Sequence, residues 1–151
     1  MRAIIQRVKN ASVKVDGQII SNIGPGLMCL IGIGKEDTKT DSEWLCKKIL
    51  NLKLFPSADS TKGWDRSVKD MDYEILFVSQ FTLFAYTKKG TKPDFHLASP
   101  SELSKVHYNE FLEIFKQTYN ADKIKDGQFG AMMDVNLTND GPVTISLDSK
   151  L

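Results

Sequence analysis

The sequence predicts an α+β domain with a mostly antiparallel sheet and two main helices covering it. Three patterns carry that class. Several short runs alternate apolar and polar residues with a period of two, the signature of half-buried strands. Two longer segments instead repeat their apolar residues at helical spacing. Turn residues, Asp16-Gly17, Gly24-Pro25-Gly26 and Asn139-Asp140-Gly141, punctuate the strand runs without any long linker. With 151 residues, one domain spanning 1–151 with a real core is expected, and two are not.

Residues 2–8 read as a strand, and Val13 and Val15 alternate with Ser12 and Lys14 up to the hairpin signal Asp16-Gly17. Gln18–Ser21 form the return. After the Gly24-Pro25-Gly26 break, Leu27–Ile33 is a continuous apolar run, as expected of a strand buried on both faces. Thr40-Asp41-Ser42-Glu43 has the spacing of a capping box, and Leu45, Ile49 and Leu52 give the following helix one apolar stripe. Residues 56–72 are polar and turn-rich. Tyr73–Leu83 reads as a long strand, followed by a basic loop, Thr87–Asp94. Ser99-Pro100-Ser101-Glu102 starts a second helix, with Leu103, Val106, Phe111, Ile114 and Phe115 as its apolar face. The end of the chain reads as a hairpin: Met133, Val135 and Leu137 alternate on one arm, Val143, Ile145 and Leu147 on the other, with Asn139-Asp140-Gly141 as the turn.

Composition excludes some functions. Hydrophobic residues at 41% and charged residues at 26% are ordinary for a soluble globular protein. A formal net charge of +1 argues against wrapping a long duplex, while leaving room for local contact with one RNA end. Cys29 and Cys46 both lie in apolar periodic segments and are read as buried thiols of a reducing compartment. No signal-peptide core is seen, so a cytoplasmic protein is expected. The terminal Ser149-Lys150-Leu151 matches a peroxisomal address, the alternative to a coincidental tripeptide on a solvated end.

Familiar catalytic motifs fail. Gly32-Ile33-Gly34-Lys35 is no phosphate loop, because Cys29 stands where the first glycine belongs and Glu36 where Ser or Thr does. There is no Gly-x-Ser-x-Gly nucleophile elbow. His96 and His107 are the only histidines, and neither has a second ligand at metal spacing. His107 reads as a helix residue; His96, after the basic loop, as a packed loop histidine or a substrate contact. Nucleophilic catalysis by side chains wants a nucleophile paired with a base, and no convincing pair exists.

Two short segments stand out. Ser79-Gln80-Phe81-Thr82-Leu83 ends a strand run, and Asn139-Asp140-Gly141-Pro142-Val143-Thr144 sets a proline directly after a turn glycine. Glycine accepts torsions that other residues resist, and proline fixes its own φ, so this corner can present a rigid surface without side chains. Together the segments resemble the two signature motifs of D-aminoacyl-tRNA deacylases. The opening Met1-Arg2-Ala3-Ile4-Ile5-Gln6-Arg7-Val8 and the loop Lys89-Gly90-Thr91-Lys92-Pro93-Asp94-Phe95 extend the likeness over essentially the whole chain.

That resemblance implies a homodimer of three-layer α/β/β subunits. It also implies cleavage of the ester joining a D-amino acid, or misplaced glycine, to the 3′-terminal adenosine of tRNA, without metal or cofactor. Gly141 and Pro142, in cis linkage, would screen chirality in the partner's active site. Ser79, Gln80, Phe81 and Thr82 would line the pocket facing the ester, and Phe129 and Met133 would hold the adenine. For such an ester, with no nucleophile–base pair in the sequence, backbone N–H groups holding the developing oxyanion suit this chain better; Thr82 is either a positioning hydroxyl or a nucleophile, and the adenosine 2′-hydroxyl can assist. Lys88, Lys89 and Lys92 are either a solvated turn or contacts to acceptor-stem phosphates. Some relatives carry a C-terminal extension linked to DNA binding; the sequence given ends after its last strand, so that role is not expected. The alternative readings are a nucleic-acid-binding module of the same fold without catalysis, and an esterase unrelated to RNA.

Overall fold

The computed structural model describes residues 1–151. Its elements run β1 (Arg2–Val15), β2 (Gln18–Ile23), β3 (Gly26–Gly32), α1 (Lys39–Asn51), β4 (Glu74–Ser79), a 3-10 turn (Phe81–Phe84), α2 (Ser101–Thr118), a second 3-10 turn (Ala121–Lys123), β5 (Ile124–Asp126) and β6 (Asp134–Asp148). The long strand β1 organises the sheet. Its first half pairs antiparallel with β3 and its second half with β2, while β6 pairs antiparallel along its other edge from Arg2↔Asp148 to Lys14↔Asp134. β3–β4 and β4–β5 are parallel, completing one mixed, six-stranded sheet.

The apolar run in β3 is buried on both faces, as its composition predicts. Leu27, Cys29 and Ile31 join Ile75 and Phe77 of β4 in a core cluster with Leu45 and Ile49 of α1 and Tyr108, Phe111 and Phe115 of α2. The alternating residues Met28, Leu76 and Val78 face a second cluster with Val8, Ala11, Val13 and Ile23. Phe77 meets Phe111 and Phe115 edge-on, with centroids 5.3 and 4.6 Å away, each contact contributing about 1 kcal/mol beyond area burial. Cys29 and Cys46 are both buried free thiols.

The expected C-terminal hairpin is absent: β6 is one strand whose two halves both pair with β1. Val135 lies opposite Val13 and Ile145 opposite Ile5, so the halves never face each other. The Asn139-Asp140-Gly141 turn is instead absorbed as a bulge. Asn139 pairs with Val8 and Thr144 with Gln6, leaving residues 140–143 opposite Arg7 alone.

Three other expectations shift. The helix start lies two residues earlier than Thr40, because Asp41 accepts the Thr38 backbone N–H at 2.8 Å. The strand beginning near Tyr73 stops at Ser79, and Phe81–Phe84 turns off as 3-10 helix. In α2 the buried stripe is Ser104, Tyr108, Phe111, Leu112 and Phe115, with Leu103 and Val106 exposed on the outer side.

The chain ends meet at the start of α1. The Met1 ammonium lies 2.7 Å from Asp37. Asp41 accepts from the Ser149 hydroxyl at 2.6 Å and from Lys150 Nζ at 3.0 Å. Burial pushes the Asp41 carboxyl up, but the hydrogen bonds from Ser149, Thr38 and Lys150 prevail and hold it well below the usual carboxylate range.

Candidate active site

The turn after β4 owes its position to glycines. At Gly32, at the end of β3, a Cβ would lie 2.9 Å from Leu83 Cβ and 3.2 Å from the Gln80 carbonyl. At Gly34 it would lie 2.7 Å from the Phe84 ring. The bare backbone of this stretch lets the 3-10 turn settle directly onto the sheet. Arg2 pins the turn from below. Its Nη1 donates to the Leu83 carbonyl at 2.8 Å, its Nε reaches Asp148 at 3.1 Å, and the guanidinium lies 4.4 Å from the Phe84 ring centroid.

Within the turn, Gln80 N–H extends the parallel ladder to the Ile31 carbonyl at 2.7 Å, and Leu83 N–H closes on the Gln80 carbonyl. The Phe81 and Thr82 N–H groups lie ahead of that closure, the orphan donors of a helix start. Gln80 Nε2 donates to Thr82 Oγ1 at 2.6 Å.

A cleft of about 770 Å³ opens beside this turn. Ser79, Gln80 and Phe81 line one wall, and Phe129 and Met133 line another. Phe81 is 57% exposed and stands edge-on to Phe95 at 5.0 Å. Met133 Sδ accepts from Gln128 N–H at 3.4 Å and tucks against Gly127, where a Cβ would sit 2.8 Å from the sulfur. The Phe129 ring lies 5.7 Å from that of Tyr108, whose hydroxyl donates to Asp126 at 2.6 Å. Burial pushes both the Asp126 carboxyl and the Tyr108 hydroxyl up, and their hydrogen bond braces the loop that carries Phe129.

Five of the expected residues thus share one cleft: Ser79, Gln80, Phe81, Phe129 and Met133. Thr82 is exposed on the same turn but off the lining. Lys88, Lys89 and Lys92 are exposed on a loop closed by the Tyr86–Asp94 backbone pair. Sequence reasoning missed the roles of Gly32, Gly34 and Arg2. The Gly32-x-Gly34 spacing is visible in the sequence, but nothing near it in the chain shows that a turn some fifty residues later packs there.

Gly141 and Pro142 are exposed, joined by a cis peptide, and do not line the cleft of their own chain. The corner lies level with Arg7, whereas Ser79 lies level with Ile31 and Ala3, with β1 and β3 in between. Strand geometry puts that at roughly 13 Å along the strands and 14 Å across them. Gly141 has φ +132°, and a Cβ on it would meet Val143 Cγ2 at 2.8 Å. Arg7 holds the corner by donating to the Asp140 carbonyl at 3.1 Å and the Leu54 carbonyl at 2.7 Å. The Asn139 side chain accepts from Val143 N–H and donates to Thr144 Oγ1. The result is a fixed, outward-facing surface with no side chain on Gly141.

The chain matches the family model described as D-Tyr-tRNA(Tyr) deacylase over residues 4–148. It is 65% identical over 150 residues to a D-aminoacyl-tRNA deacylase of Dictyostelium discoideum, covering 99% of both chains. It is 54% identical to D-aminoacyl-tRNA deacylase 1 of Homo sapiens, covering 99% of this chain and 70% of that protein. Among solved structures, one named c-Myc DNA Unwinding Element Binding Protein superposes with a TM-score of 0.94 at 53% identity over 98% of each chain. A second, a probable eukaryotic D-amino acid tRNA deacylase, gives 0.83 at 17% identity over 97% of each chain, a likeness of fold alone.

Proposed function

Because this chain belongs to the D-Tyr-tRNA(Tyr) deacylase family, we propose that it hydrolyses the ester between a D-amino acid and the 3′-terminal adenosine of tRNA. The observation that carries this reading is the cleft itself. It brings a turn whose first backbone N–H groups are left free by the 3-10 geometry into one cleft with an aromatic ring and a thioether suited to an adenine. Water adds to the ester carbonyl, and the Phe81 and Thr82 N–H groups take the developing oxyanion. The bond to the ribose 3′-oxygen then breaks, and that oxygen receives the proton, with the neighbouring 2′-hydroxyl assisting. Thr82 serves as a positioning hydroxyl, since Gln80 already donates to it.

The chiral screen is the Gly141–Pro142 corner, and it acts in trans. The corner lies away from its own cleft, so the reading requires a homodimer, of three-layer α/β/β subunits, in which each subunit lends the corner to its partner. A surface without side chains leaves room for an α-hydrogen and collides with an L side chain. Glycine, having no side chain, passes the same screen, so mischarged glycyl-tRNA is a substrate too. Lys88, Lys89 and Lys92 attract the acceptor stem. We place the protein in the cytoplasm; in support, Ser149 and Lys150 of the address-like tripeptide are engaged by Asp41.

The name of one relative, a DNA-unwinding-element binding protein, favours a second reading, nucleic-acid binding without catalysis. Single-turnover hydrolysis of D- and L-aminoacyl-tRNA by the purified protein separates the two. Cleavage of the D form alone supports the deacylase. Binding without cleavage of either form supports the second reading.

A further inference from the structure

His96 is the only titratable residue lining the cleft. Its environment is built rather than incidental. Asp94 Oδ1 accepts the His96 backbone N–H at 2.7 Å and also pairs with His96 Nδ1. Asp94 is itself fixed, because Tyr86 N–H donates to its carbonyl at 2.7 Å and its own N–H returns to the Tyr86 carbonyl at 3.0 Å. The Tyr86 ring lies edge-on to the imidazole at 5.6 Å. With Nδ1 committed to the carboxylate, Nε2 is the nitrogen left to face a ligand in the cleft.

Two features decide what that nitrogen meets. The imidazole is 54% exposed, which places it at the wet rim rather than beside the ester. The loop leading to it carries Lys88, Lys89 and Lys92, and every ion pair of the chain lies elsewhere, apart from Asp94–His96 itself. A positive track therefore leads from the loop to the cleft mouth, the path of a phosphate backbone whose last nucleoside sits inside. Resting on the deacylase reading, we propose that His96, braced by Asp94, binds the phosphodiester immediately preceding the terminal adenosine and so sets the depth at which the ester enters the cleft. His96 is a binding and positioning residue in this scheme and moves no proton in the reaction.

The test compares adenosine with adenosine 5′-monophosphate as ligands, alongside hydrolysis of D-aminoacyl-tRNA. The monophosphate should bind the wild-type protein about tenfold more tightly than adenosine, the value of one charge-assisted hydrogen bond. His96→Gln should erase that difference and leave adenosine affinity in place, while raising KM for D-aminoacyl-tRNA far more than it lowers kcat. Asp94→Asn should lose part of the difference. Equal affinity of the wild-type protein for the two ligands overturns the proposal even with hydrolysis intact. A His96→Gln variant that loses kcat at unchanged KM overturns it in favour of proton transfer. Absence of hydrolysis and of adenosine binding in the wild-type protein would instead remove the deacylase reading beneath it.

Discussion

Arg2 joins the first residues of β1 to the site by donating to the Leu83 carbonyl at 2.8 Å while its guanidinium lies against the Phe84 ring. One planar side chain thus fixes both the backbone and an aromatic anchor of the turn that carries Phe81 and Thr82. Lysine cannot form the same fork, since its single ammonium cannot serve Asp148 and Leu83 from one plane. Arg2→Lys and Arg2→Ala should therefore both lower kcat, by about tenfold to a hundredfold, as the donors drift from their working positions. Stability should fall by only about 1–2 kcal/mol, because the side chain is partly exposed. Steady-state kinetics together with urea unfolding check the split; unchanged kcat would show that the turn holds itself.

Thr82 Oγ1 already accepts a hydrogen bond from Gln80 and has no base beside it. Thr82→Ala should retain activity to within about tenfold, the scale of one lost hydrogen bond. Single-turnover hydrolysis of D-aminoacyl-tRNA measures this. Complete loss in a folded variant would make Thr82 the nucleophile.

Gly141 combines φ +132° with a Cβ position 2.8 Å from Val143 Cγ2. Gly141→Ala must move the corner or Val143, and it adds a methyl where the screen needs none. The D-to-L rate ratio should fall by about tenfold or more, as a repositioned surface no longer separates hydrogen from side chain. An unchanged ratio would mean that handedness is read elsewhere.

Much of this was legible in the sequence, and the misreadings have physical causes. The two-sided burial expected for Leu27–Ile33 followed from a continuous apolar run, and the strand over Gly26–Gly32 shows it. Periodicity also found both helices, but α2 was rotated by one step. Leu103 and Val106 fit a helical stripe as well as Tyr108 does, and only the sheet decides which stripe is buried. The supposed C-terminal hairpin failed because alternation reports which residues face the core, not which strand is the partner. β1 is long enough to pair with both halves of β6. Ser79–Leu83 looked like strand because the glycines that receive its turn lie some fifty residues earlier, at Gly32 and Gly34. The cleft residues were recognisable as a motif; the brace of Asp94 on His96 needed coordinates.

Asp41 makes stability acid-sensitive. Hydrogen bonds from Ser149, Thr38 and Lys150 outweigh the opposing effect of burial and hold its folded carboxyl below the ordinary 3.8. A depressed folded value contributes stability that is present above the unfolded value and lost as pH falls through it towards the folded one. Unfolding free energy should therefore decline below about pH 4. Asp41→Asn should lower neutral stability by about 1–3 kcal/mol and flatten that decline. Urea titrations across this range test it, and an Asp41→Asn variant with the wild-type acid slope would contradict it.

The most direct measurement is complementation between two damaged chains. One carries Gly141→Ala with an intact cleft; the other carries Phe129→Ala and Met133→Ala with an intact corner. Alone, the first should discriminate poorly and the second should cleave slowly. Co-expressed, they should form mixed dimers containing one intact composite site, and selective hydrolysis of D-aminoacyl-tRNA should return. Mixed dimers that are present by mass yet restore no selective hydrolysis would contradict a site shared between subunits.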